Sequence, residues 1–146
     1  MDAAGDSYAI ATDAVVEVVP HALLKVAPGA PTAVAGILNF RGGPVPVVDL
    51  TLLLGGRASE SRYSTRIVLV KMLLGGRERI LGILGENVVR LVHIPAGQWI
   101  EPGARAPGLR CVGKVAELDG RWVQQLRVAE ILSAEVVEVL TQEDVA

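Results

Sequence analysis

The stretch Gly36-Ile37-Leu38-Asn39-Phe40-Arg41-Gly42-Gly43-Pro44-Val45-Pro46-Val47-Val48-Asp49-Leu50 decides the fold. Two apolar runs flank an Asn-x-Arg-Gly-Gly corner, which reads as a β-hairpin with a glycine turn. The second strand carries Pro44 and Pro46. In a strand, N–H groups two residues apart point toward the same neighbour, so both prolines remove donors from one side. That strand is an edge, a bulge, or one that pairs only further along. Asp49 then precedes a leucine run that stops at Gly55, the pattern of a short helix with an N-cap and a C′ glycine.

Before this stretch, residues 1 to 6 read as a turn that introduces Ser7 to Ala11 as a strand. Thr12-Asp13-Ala14 reads as a capped turn, Val15 to Val19 as a strand ending at Pro20, and Leu23 to Ala27 as another short strand. Pro28-Gly29-Ala30-Pro31 breaks the chain, and Thr32 to Ala35 can make a helical turn. After it, the polar segment Gly55 to Ser64 is the best internal linker. Thr65 to Leu74 is a continuous apolar strand that turns at Gly75-Gly76 and returns over Arg79 to Leu84. Asn87 to Ile94 forms the next strand, and residues 96 to 108 read as a long surface loop. Leu109 to Leu118 and Arg121 to Leu126 make a hairpin across Asp119-Gly120. Ser133 can cap a terminal helix with Val136, Val137 and Leu140 on one face. Gly36 and Gly43 are seven apart, as are Gly113 and Gly120, and each pair leads into a strand and a short helix. This spacing is a faint internal repeat.

A chain of 146 residues suits one domain or two small subdomains sharing a core. It is 51% hydrophobic but only 3% aromatic, so its core is aliphatic. Its 22 valines suit half-buried strands. With 14 basic and 16 acidic residues intermixed, no basic stripe exists to bind nucleic acid. The lone Cys111 excludes an internal disulfide and fits a reducing cytoplasm. No apolar run reaches the ~18 residues of a spanning helix, and the N-terminal sequence is not that of a signal peptide. These features predict a soluble, cytoplasmic, β-rich protein without direct membrane insertion.

Catalysis would need a base, a nucleophile and an orienting partner, or a metal cluster. His21 and His93 each stand alone beside a proline, without ligands at metal spacing. Cys111 opens an apolar strand and reads as a buried, inert thiol. Neither nucleotide-binding glycine motif occurs. No catalytic residue, metal site or cofactor is expected. Asp49 reads as a helix cap. Arg41 is either a solvated hairpin charge or an interface anchor. Asn39 either satisfies local backbone or presents its amide to a partner. One of Gln124 and Gln125 must face inward if the strand alternates, so it is hydrogen-bonded there or faces a partner. Trp99 and Trp122 are core or groove wall in one reading and interface anchors in the other.

The run Gly36 to Gly42, followed by Val45-Pro46-Val47-Val48-Asp49-Leu50, closely resembles the core motif of CheW-like domains, the adaptor modules of bacterial chemosensory arrays. The likeness extends through Tyr8-Ala9-Ile10 to Val18-Val19, Thr65 to Val70, Leu81 to Leu84, Val88 to Val92, and Leu109 to Leu132. The resemblance implies a mainly β fold of two linked five-stranded SH3-like barrels with short helices and a C-terminal helix. Subdomain 1 would span about 7–58 plus the C-terminal segment, and subdomain 2 about 64–132. Such domains begin with an apolar strand before the Ser7 strand. Here the chain starts at the turn, so the first subdomain is expected to lack part of its first strand; either another segment fills that place, with Ser7 to Ala11 displaced, or the exposed edge favours self-association. The implied function is a non-enzymatic adaptor that links chemoreceptor tips to the regulatory domain of a CheA-type histidine kinase, at receptor arrays on the inner membrane. Its partner-binding residues would be Asn39, Arg41, Gly42, Gly43, Pro46 and Asp49, with Val16 and Val18 as receptor contacts. The alternatives are an adaptor of a non-motility chemosensory pathway or a small β-barrel ligand-binding protein.

Overall fold

The computed structural model describes residues 1–3, 6–26, 28–30, 32–55, 57, 65–74, 76–88, 92–102 and 111–131. The chain runs β1 (Asp2–Ala3), β2 (Asp6–Ala9), β3 (Val15–Pro20), β4 (Val34–Phe40), β5 (Gly43–Asp49), α1 (Leu50–Leu53), β6 (Arg66–Leu74), β7 (Arg77–Gly85), β8 (Val112–Leu118) and β9 (Arg121–Leu126). One sheet has the order β3-β6-β7-β5-β4 and the other β1-β2-β9-β8.

The prolines of β5 determine how the first sheet is wired. Phe40 pairs with Gly43 across a two-residue turn, and Asn39 with Pro44, Leu38 with Val45 and Ile37 with Pro46 follow. Hydrogen-bonded and non-bonded pairs alternate away from such a turn, so both prolines fall in non-bonded pairs. Their missing donors face away from β4, toward β7, and β7 joins β5 only from Val47 onward, in parallel register. The strand pairs further along, as the third sequence alternative required.

The middle strands are buried on both faces, and their side chains alternate between two cores. Val45, Val47, Ile67, Leu69 and Leu84 form one cluster. Val48, Val68, Val70, Leu81 and Ile83 face the other, where Ala3, Tyr8 and Leu126 of the second sheet meet them. Val19 on edge strand β3 and Leu38 and Phe40 on the opposite edge strand β4 pack against the same first cluster. The sheet therefore curls until its two edges approach. Lys25 seals part of the β4 edge through a backbone bridge to Ile37. Gly36 is obligatory beside that bridge: its φ is 153° and a Cβ there would lie 2.6 Å from the Lys25 carbonyl oxygen.

The repeat hinted at by the glycine spacing is topological. The order β4-β5-β7-β6 is matched by β8-β9-β2-β1, antiparallel, parallel and antiparallel in both cases. Both hairpins carry a register shift in their first strand. Outside each first strand lies a single bridge, Lys25 to Ile37 in one and Ile100 to Val115 in the other.

Several expectations are corrected. Residues 2–3 are a strand, not part of a turn, and β2 lies between β1 and β9 rather than at an exposed edge. The ground for self-association through Ser7 to Ala11 is thereby removed. Sheet membership crosses the expected 58–64 boundary, because β6 and β7 pair with β3 and β5. Among the described residues no strand pairing closes either sheet into a barrel. Of the expected strand Leu23 to Ala27, the described residues 23–26 show one bridge, at Lys25. Asn87, Val88 and Val92 to Ile94 are not strand. The Thr12–Ala14 turn is 3₁₀, without a side-chain cap. Most of the 55–64 linker, the later part of the 96–108 loop and the terminal helix from Ser133 lie outside the described residues.

Candidate partner-binding site

The corner between β4 and β5 is a two-residue turn with positive φ at both central positions, 51° at Arg41 and 80° at Gly42. This is the type I′ geometry, whose twist matches that of the flanking strands. A Cβ on Gly42 would meet nothing within 4 Å, so the need for glycine is conformational and not steric. Arg41 occupies the position that Asn, Asp or Gly ordinarily fills, at a cost of roughly 1–2 kcal/mol for a left-handed residue. The equivalent turn in the second sheet uses Asp119 and Gly120, the favoured pair.

The Arg41 side chain is 73% exposed, with Nη2 3.6 Å from Glu17 Oε2 on β3. Its guanidinium carbon lies 4.7 Å from the centroid of the Phe40 ring. An exposed ion pair and an exposed cation–π contact are each worth at most ~1 kcal/mol. Together they steer the side chain without locking it.

The expected site residues divide into two groups. Asn39, Arg41 and Gly42 are exposed on the corner, and Gly43 is half-buried. Pro46 and Asp49 are buried. The Asp49 carboxylate accepts hydrogen bonds from the N–H groups of Thr51 at 3.1 Å and Leu52 at 3.4 Å, capping α1 as the sequence pattern required. Val16 and Val18 are 39% and 47% exposed. They flank Glu17 on the far edge of the sheet from β4, and the curl brings Glu17 to within 3.6 Å of Arg41. Glu17 and Phe40 escape sequence reasoning. The available signal for Glu17 is a charge interrupting a valine run, a mark of an edge strand.

Val18 also lines a groove of about 1150 Å³ between the two sheets, together with Ile10, Val68, Val123 and the half-buried Trp99. Trp122 departs from a core role: it is 60% exposed on β9. Both glutamines are half-buried and hydrogen-bonded within the second sheet, Gln124 at the buried Tyr8 and Gln125 on a solvent-exposed side. Gln124 hydrogen-bonds the Tyr8 side chain, and Gln125 Oε1 accepts from the Lys114 N–H at 3.2 Å.

Among the described residues no group of three or more His, Cys, Asp or Glu is placed to hold a metal. Burial pushes the Cys111 thiol up, so it stays protonated and poorly nucleophilic at neutral pH. The corner presents the Arg41 cation near an edge strand with exposed valines, and the groove is lined by both apolar and polar side chains.

The family model for the CheW-like domain matches residues 1–136. Against curated protein sequences the chain has no significant match. Among solved structures it is similar to the scaffolding protein TtCheW from Thermoanaerobacter tengcongensis, with a TM-score of 0.76 and 22% identity over 89% of this chain and 87% of that one. A mainly β fold of two sheets and a match over nearly the whole chain agree, and the chain belongs to the CheW-like domain family, the non-enzymatic scaffold proteins of chemotaxis signalling.

Proposed function

We propose that this chain couples chemoreceptor tips to a CheA-type histidine kinase through the Arg41 corner and the β3 edge. The supporting observation is the backbone of Arg41. A long cationic side chain stands at a left-handed position where smaller residues fit at lower energy, on a rigid hairpin and largely exposed. Nothing in the packing of the hairpin requires arginine there, so its role is in what the guanidinium meets. In this reading Asn39, Arg41 and Gly42 touch a partner, and Val16 and Val18 supply apolar contact. Gly43, Pro46 and Asp49 fix the shape of the corner from within. The groove between the sheets suits an amphipathic helical segment of a receptor.

The finer architecture belongs to the same reading. Each sheet is one side of a small SH3-like barrel, and the cluster of Val45, Val47, Ile67, Leu69 and Leu84 beneath Val19 and Phe40 is the interior of the barrel built on the first sheet. The protein acts from the cytoplasmic face at receptor arrays, and among the described residues no helix is long and apolar enough to cross a membrane. By holding receptor and kinase in fixed geometry it lets the receptor's state bias the kinase population.

The test is affinity capture of receptor and kinase from lysate of the source organism with wild type and Arg41→Glu. The expected result is both partners with wild type and at least tenfold less with the variant at unchanged thermal stability. Equal capture by the two proteins would remove the corner from the interface.

A further inference from the structure

We infer that Trp122 is the platform of a separate contact surface, one that takes an arginine side chain from a basic segment of a partner protein. This goes beyond the adaptor reading and does not rest on it, because the surface lies apart from the Arg41 corner and from the groove between the sheets.

The indole has no task in the core. Trp122 is 60% exposed and belongs to neither core cluster. A ring left in water forgoes the burial that aromatic side chains ordinarily supply. Its neighbours Arg121 and Val123 line the groove, and alternation along β9 turns Trp122 to the opposite face of the strand. Tryptophan is among the residue types most enriched as interface anchors.

The register of three strands sets the charge around the ring. Glu117 on β8 pairs directly with Trp122. Leu118 and Arg121 close the two-residue turn as a bonded pair, so Glu117 and Trp122 form a non-bonded pair, the kind whose side chains lie closest. On the other side, Asp6 opens β2 one position before the Ser7–Val123 pair, which puts it opposite Trp122 in the parallel register. Paired residues of neighbouring strands share a face, so Trp122 stands between two carboxylate residues. Both are exposed, and among the described residues neither has an ion-pair partner. Asp6 and Trp122 also border a cleft of about 440 Å³ whose wall carries Asp2, Glu86 and the cation Arg121. Asp2 is held there by hydrogen bonds from Ser7 and Asn87.

An indole flanked by carboxylates selects a cation. The ring quadrupole attracts positive charge, and tryptophan does so most strongly of the aromatic side chains. The carboxylates add Coulomb attraction and hydrogen-bond acceptors. A guanidinium uses both at once: its plane stacks on the ring while its edge donates two parallel bonds to a carboxylate. A lysine ammonium is a compact, strongly hydrated point charge and does not stack. The two acidic residues disfavour an acidic partner at the same place.

The test is nuclear magnetic resonance on the isotope-labelled full chain, titrated with the peptide acetyl-Gly-Arg-Gly-Arg-Gly-amide and with its lysine and glutamine counterparts. Backbone amides of β2, β8 and β9, and the Trp122 indole N–H where present, are followed in wild type, Trp122→Leu, Asp6→Asn and Glu117→Gln, each checked for native circular dichroism. The arginine peptide should shift these signals saturably in wild type, with a dissociation constant of roughly 1–10 mM. The lysine peptide should bind about threefold more weakly, and the glutamine peptide should give no saturable shift. Trp122→Leu should weaken the arginine peptide about fivefold, and each carboxylate variant about two- to threefold. Undiminished binding to Trp122→Leu overturns the platform role, because attraction to acidic charge alone would then account for it. Equal binding of the lysine or glutamine peptide overturns the choice of arginine, and the absence of any saturable shift at ~20 mM peptide overturns the surface itself. None of these outcomes involves the Arg41 corner, so the adaptor reading stands or falls separately.

Discussion

Type I′ turns require two consecutive left-handed residues, and the chain meets that requirement with Asp119-Gly120 in one hairpin and Arg41-Gly42 in the other. Restoring a favoured pair at the corner with Arg41→Asn relieves roughly 1 kcal/mol of backbone strain and gives up the weak Glu17 and Phe40 contacts. The net expectation is a melting temperature equal to wild type or raised by up to about 2–4 °C, with partner binding lost, measured by thermal denaturation and titration on the same samples. A drop in melting temperature would show that the side-chain contacts outweigh the strain and that Arg41 is there for stability. At this scale the sequence shows the corner but not its clamp. Asn39 to Gly43 are contiguous and carry their own turn chemistry, so the hairpin is legible. The Glu17–Arg41 pair joins opposite edges of a five-stranded sheet, and such proximity follows from curl, which no local pattern encodes. The same holds for Gln125, whose solvent-exposed bond from the Lys114 N–H depends on the register of β8 against β9.

At the level of elements, β5 and α1 act as one unit. The prolines keep β7 away from the first half of β5, the second half pairs on both sides, and the strand ends in the Asp49 cap. The turn, the donor-poor side of the strand and the helix cap were readable, because prolines, an N-cap carboxylate and a C′ glycine act within a few residues of themselves, whereas the pairing of β5 stayed open among three alternatives. Strands that depend on distant partners read less well. Leu23 to Ala27 has strand composition, but among its described residues only Lys25 finds a strand partner, and β1 is too short to register as a pattern. The cap also separates positioning from contact at the proposed site. Asp49 is 2% exposed, so its effect on any partner must pass through the fold. Asp49→Ala should cost about 1–2 kcal/mol in chemical denaturation, because two helix N–H groups lose their acceptor. Partner binding should fall only insofar as the corner loosens. Asp49→Asn keeps an acceptor oxygen and should restore most of both. Wild-type stability combined with lost binding in Asp49→Ala would instead mean that the carboxylate itself reaches the partner.

Across the whole molecule, the two sheets are held together at Tyr8. This residue on β2 sits opposite Gln124 on β9, and its ring enters the core shared with β5, β6 and β7. Beside it, β1 bridges Asp2 to Glu86 at the end of β7, so the N-terminal hairpin ties one sheet to the other. The mainly β class and most strands were legible from alternation and turn residues. The joining of the sheets was not, because parallel pairing of β2 with β9 connects segments more than a hundred residues apart. Tyr8 gives that junction a titratable reporter. Burial, aided by the nearby Asp6 charge and opposed by the Gln124 hydrogen bond, raises its hydroxyl to about 12 from an ordinary value of 10.0. An acid whose folded pKa lies above its unfolded value holds its proton more tightly when folded, so its contribution is complete below pH 10 and is lost as pH rises toward 12. A shift of that size corresponds to about 2–3 kcal/mol lost over the window. Burial of the Cys111 thiol acts in the same sense from a lower starting pH. Urea titrations between pH 9 and 12 should therefore show a falling unfolding free energy in wild type and a clearly flatter profile in Tyr8→Phe, which keeps the ring in the core and lacks the proton. Tyr8→Phe should also be slightly less stable than wild type at pH 7, since Gln124 loses its partner. The two stability curves should then meet and cross in alkaline solution, and parallel curves would place the alkaline loss elsewhere than at the junction of the sheets.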